Sequence, residues 1–72
     1  MEKNFKEAMK INADLARVRV EQEKLRSYAQ SLERASTYDL REVVNTKVKV
    51  MMLDREIAQL EKERDGYLAK CE

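Results

Sequence analysis

Apolar side chains recur in alternating steps of three and four from near one end of this chain to the other. Ala8, Ile11, Leu15, Val18, Leu25, Ala29 and Leu32 make the first half of the seam, interrupted by Gln22. Val43, Thr46, Val50, Leu53, Ile57, Leu60, Tyr67 and Cys71 make the second, interrupted by Arg64. Such spacing keeps one stripe of a helix turned toward a partner helix, so it is satisfied by helix packing on helix. Composition agrees: there is no proline, a single glycine (Gly66) and 40% charged residues, a profile of long helices or coiled coil. The 72 residues read as one helical domain, 1–72. A chain this short buries a modest core and often needs a partner subunit for firm stability.

The two halves share one heptad phase, because extending the first seam from Leu32 lands on Ser36, Asp39 and then Val43. Period alone therefore permits a single continuous helix. Chemistry at Ser36 and Asp39 argues otherwise, since neither side chain suits a buried stripe and both are good N-caps. Ser36 with Asp39, and Asp39 with Glu42, have the spacing of a capping box. The acids would also favour the positive end of a new helix. These signals predict helix one over about 3–35, a tip at 36–39 and helix two over about 40–70. The missing glycine and proline count against a sharp turn.

Folding the chain at that tip pairs Leu32 with Val43, Ala29 with Thr46, Leu25 with Val50 and Gln22 with Leu53. The layers continue as Val18 with Ile57, Leu15 with Leu60, Ile11 with Arg64 and Ala8 with Tyr67. Gln22 and Arg64 are expected to reach solvent on their long stems. The hairpin would be about 50 Å long. Rim charges favour the alternative, a long parallel coiled-coil dimer, through Asp14–Arg19, Glu21–Arg26, Glu42–Lys47 and Lys49–Asp54 against one repulsion, Glu56–Glu61. Pairing the hairpin's rims gives Arg19–Asp54 and Glu7–Lys70 as attractive, but Arg26–Lys47, Asp14–Glu63 and Glu21–Glu56 as repulsive. Exposed pairs contribute only about 0.2–1 kcal/mol each. The parallel dimer would stack Asp39 on Asp39 and Arg64 on Arg64 in its seam, at a cost of several kcal/mol. The sequence therefore predicts an all-α, two-helix antiparallel coiled-coil hairpin.

A second apolar stripe lies away from that seam. Met9, Ala13, Ala16 and Val20 recur on helix one, and Val44, Val48, Met51 and Ala58, with Met52 beside them, on helix two. Contiguous exposed apolar surface marks interfaces, and methionine adapts to irregular partners. Val44, Val48, Met51, Met52, Met9, Ala16 and Val20 are the candidate interface, either for self-association into a helical bundle or for docking on another protein.

Few residues of the chain offer catalytic or ligand chemistry. Without histidine no His-based triad or usual zinc set can form, and Gly66 alone makes no phosphate loop. Asp54, Glu56, Glu61 and Glu63, interleaved with Lys62 and Arg64, read as a solvated face rather than a cation site. The expectation is a protein that is no enzyme and uses no cofactor, metal or small molecule. Net charge is +1 overall, +2 over residues 1–35 and −1 over 36–72. The mild basic cluster Arg17, Arg19, Lys24 and Arg26 is offset by Glu21 and Glu23, so nucleic acid is not an expected partner. The longest apolar run, Val50 to Leu53, is far too short to span a bilayer. The charged N-terminus lacks a signal-peptide core, and the lone Cys71 suits a reducing compartment; cytoplasmic residence is expected.

Val50-Met51-Met52-Leu53-Asp54-Arg55-Glu56-Ile57, with Glu23-Lys24-Leu25-Arg26 upstream, resembles the signature of the small sporulation-control phosphatases. Those are two-helix hairpins that dephosphorylate a response regulator through a Ser-x-x-x-Asp motif. The resemblance would match Asp54 to the aspartate, while Val50 stands where the family has serine. The residues themselves favour a non-enzymatic adaptor, inhibitor or chaperone-like regulator acting by helix packing. A parallel coiled-coil spacer and a phosphatase-like hairpin are the alternatives.

Overall fold

The computed structural model describes residues 2–35 and 39–70. Tip residues 36–38, including the candidate cap Ser36, lie outside them, as does Cys71. Two helices account for almost all of the described chain, α1 over Glu2–Arg34 and α2 over Leu40–Ala69, packed antiparallel as a hairpin. These bounds fall within a residue of the expected ones. The structure thus excludes the continuous parallel rod, because the 3–4 seam is satisfied within one chain.

Local chemistry explains both inner ends. At the close of α1 the Ala35 N–H donates to the Leu32 carbonyl at 3.2 Å, tightening the last turn, with Arg34 at its negative end. Asp39 is the N-cap of α2: its backbone is extended, and its carboxylate accepts from the Arg41 N–H at 2.9 Å. Its own carbonyl accepts the first helical bond, from Val43 N–H at 3.1 Å. The expected reciprocal bond from Glu42 is replaced, because the Glu42 carboxylate accepts from the Tyr28 hydroxyl across the hairpin. No described residue adopts positive φ.

The seam is the core. Ala8, Ile11, Leu15, Val18, Gln22 and Ala29 of α1 are buried, as are Val43 and Thr46 of α2. Thr46 satisfies its hydroxyl by donating to the Glu42 carbonyl at 2.8 Å. Beyond Thr46, α2's seam residues Val50, Leu53, Ile57, Leu60 and Tyr67 are only half-buried. The two helices thus cover α1's side of the seam, Leu15 above all, more completely than α2's. The result is a slab 56 Å long and 14 by 11 Å across. Its radius of gyration, 16.5 Å, exceeds the roughly 11 Å of a globule of this length.

Two expectations about polar residues need correction. Gln22 does not reach for water: it is 5% exposed and donates to the Val50 carbonyl at 3.1 Å and to the Asp54 carboxylate. A main-chain acceptor and a carboxylate within reach make burial less costly than stretching outward. Arg64 stays half-buried and donates to Asn12 Oδ1 at 3.1 Å. Both bonds agree with the layers Gln22–Leu53 and Ile11–Arg64.

The rim pairing also differs. Arg19 meets Glu61 at 3.4 Å, Arg26 meets Asp54 at 3.5 Å and Glu33 meets Lys47 at 2.6 Å, three attractive pairs one heptad apart. Arg26 and Lys47 do not oppose one another, and Arg19 does not pair with Asp54. Helical side chains lean toward their own N-terminus. Arg26 and Lys47 are nearly level but lean apart. Arg26 and Asp54 start about five residues, or 7.5 Å, out of level and lean together. Charges on this face therefore support the hairpin.

Candidate interaction surface

The charged ladder occupies one broad face of the slab, along the e positions. The opposite face, along the g positions, carries Asp14, Glu21, Glu56 and Glu63. Asp14 is answered by Arg17 at 3.0 Å and Glu63 by Gln59 at 3.3 Å, each on its own helix. A groove of 270 Å³ on this face has Leu25, Leu53 and Met52 along it and Glu21, Lys49 and Glu56 at its rim.

Apolar exposure concentrates on the outer edges, at the b and f positions roughly opposite the seam. On α2, Val44, Val48, Met51 and Met52 are 48, 46, 59 and 63% exposed. Steps of four, three and four residues along a helix place Val44, Val48, Met51, Arg55 and Ala58 on one stripe. Met52 borders this stripe on the acidic side. Leu40, also exposed, extends it by one turn. Leu40 lies outside the stripe expected from the sequence, although its spacing of four from Val44 is a usable signal.

On α1, Met9, Ala16 and Val20 are likewise exposed, with Ala13 between them. They form a separate and smaller strip on the other edge, where Glu23, Ser27 and Gln30 take over after Val20. The structure thus divides the candidate residues into two edges rather than gathering them on one face. Phe5, Tyr28 and Leu68 are additional exposed apolar residues that the stripe count did not include.

Three of the four carboxylates considered for a cation have separate partners: Asp54 takes Gln22 and Arg26, Glu61 takes Arg19, and Glu63 takes Gln59. No group of three or more Cys, Asp or Glu side chains suited to a metal occurs among the described residues. Among the same residues, no helix is long and apolar enough to cross a membrane. The Tyr28 phenol is pushed above its ordinary 10.0, chiefly because its proton is donated to Glu42, with desolvation and the carboxylate's charge adding to the effect.

No protein-family model, curated protein or solved structure matches the chain.

Proposed function

We propose that this protein is a non-enzymatic interaction module, an adaptor, inhibitor or chaperone-like regulator that binds a protein partner by helix packing. The observation that carries this reading is the α2 edge, where Val44, Val48 and Met51 form an exposed apolar strip at coiled-coil spacing with Met52 beside it. A helix laid along that strip would fill it in the manner of an amphipathic helix in a groove. Methionine at two positions suits a surface that must fit another chain's irregularities. Action in the cytoplasm belongs to the same reading and rests on the lone Cys71. No observation favours the phosphatase reading, since Asp54 is engaged by Gln22 and Arg26.

The test is capture from a lysate of the source cells with wild-type protein, with Val48→Glu/Met51→Glu and with Met9→Glu/Val20→Glu. Loss of the captured partner in the α2 variant, with helicity retained, is the expected result. Equal capture by the wild type and the α2 variant would remove the α2 edge from the interface.

A further inference from the structure

We propose that the helix occupying the α2 edge is α2 of a second copy, running antiparallel across a two-fold axis between Val48 and Met51. The proposal rests on the interaction reading above and names its partner. Three observations lead to it.

The first is which surfaces are open to a second copy. Stacking two slabs on the ladder face would bury Arg19, Arg26, Glu33, Lys47, Asp54 and Glu61 at the centre of a four-helix bundle. Stacking them on the other face would bury Glu21, Lys49 and Glu56, the charged rim of its groove, at the contact. Either arrangement buries charge at the point of closest packing, which is costly. Edges remain, and the α2 edge is the larger and more apolar of the two.

The second is self-complementarity. An antiparallel pair centred between Val48 and Met51 sets Val48 against the partner's Met51, and Val44 against the stem of the partner's Arg55. It also sets Arg41 against the partner's Ala58, where the small side chain leaves room. Lys47 then stands about two residues, or 3 Å, from level with the partner's Asp54, and the relation repeats across the axis. A parallel pair would instead stack Arg55 on Arg55. The intramolecular ladder also supplies a rule for the flank. Arg26 and Asp54 each follow a seam residue, and they meet between the layers Leu25–Val50 and Gln22–Leu53. Met52 follows Met51 in the same way, so it meets the partner's Met52 between the two Val48–Met51 layers.

The third is area. The chain exposes 5693 Å², roughly 1,000 Å² more than a folded protein of its mass usually does. Two chains together carry a surplus of about 2,000 Å² over their whole slabs, more than the roughly 1,200 Å² at which specific interfaces begin.

Sedimentation equilibrium of the wild type at about 100 μM is the first experiment, because dimer population depends on concentration. The expected mass is twice 8.5 kDa. Val48→Glu/Met51→Glu should return it to 8.5 kDa, with the dimer dissociation constant raised about a hundredfold or more. In a Cys71→Ser background, Met52→Cys should be joined between chains by a flexible bis-maleimide, whose span covers the offset of about five residues between the two thiols, and Met9→Cys should not. This cross-link decides the matter even where the double glutamate variant loses helicity. A monomeric wild type at that concentration would overturn the second-copy proposal. So would a dimer that survives folded Val48→Glu/Met51→Glu, or one that links through Met9→Cys and not Met52→Cys. If self-association fails but lysate capture still depends on Val48 and Met51, only the second copy is lost. Unchanged mass together with unchanged capture would remove the broader reading as well.

Discussion

Gln22 of α1 donates its carboxamide to the main-chain carbonyl of Val50 on α2 at 3.1 Å, in a seam otherwise built mainly from apolar side chains. The same carboxamide reaches Asp54, which also receives Arg26. One residue thus ties the seam to the charged face and fixes which turn of α2 lies opposite it. A polar residue at such a position specifies register at some cost in stability.

Gln22→Leu should therefore raise stability by about 1 kcal/mol, since a well-packed apolar residue commonly outperforms a buried polar network. It should also broaden the species distribution. Urea unfolding followed by circular dichroism, with sedimentation velocity alongside, measures both. A variant that is less stable yet still a single sharp species would contradict the register role.

Leu15 is the largest fully buried side chain of the described chain, at 1% exposure, whereas Leu60, its expected partner layer, is half-buried. Leu15→Ala should cost about 2.5–5 kcal/mol through lost burial and a residual cavity. For a domain this small that is enough to leave much of it unfolded. Leu60→Ala should cost about half as much, because its loss opens toward water. Equal losses in denaturant titrations would mean that the two sides of the seam are covered alike.

The ladder is open to a charge swap. Lys47→Glu places like charges where Glu33 now stands 2.6 Å from Lys47, and should cost about 0.5–1 kcal/mol. Adding Glu33→Lys should restore most of it, and the coupling should shrink in salt. Absence of coupling in the double-mutant cycle would show that the pair contributes nothing measurable.

Tyr28 gives an alkaline signature. Its phenol holds the proton more tightly in the hairpin than in the unfolded chain, where its pKa is near 10.0. The Tyr28–Glu42 contribution is thus fully present below that value and lost as pH rises through the raised value of the folded state. Tyr28→Phe should flatten this alkaline limb of the stability profile relative to wild type. Identical limbs for the two proteins would exclude the bond as a contributor.

The heptad count located every described residue of the seam, and the caps located the break. Asp39 was legible because a short acceptor side chain at a poor seam position has few other uses. The rim was not legible from level pairing, since Arg26 finds Asp54 only through the lean of both side chains. The fate of Gln22 was hidden for a related reason. Whether an amide turns outward depends on an acceptor being within reach inside, and Val50's carbonyl becomes one only when the chains are docked. The candidate surface was read as one stripe on each helix; that these lie on separate edges follows from two helices making a slab.

Glu2 and Lys70 lie at the same end of that slab, with Asp39 at the other. Tension applied between the two helices at the open end therefore unzips the seam one layer at a time rather than shearing all layers together. The Tyr67 and Arg64 layers bear the load first, and Gln22 stands midway as a latch that must release before the Ala29–Thr46 half yields. Anchored at the same two points, the hairpin resists far less force than its length suggests. Gripped across its long axis, it would be a much stiffer strut.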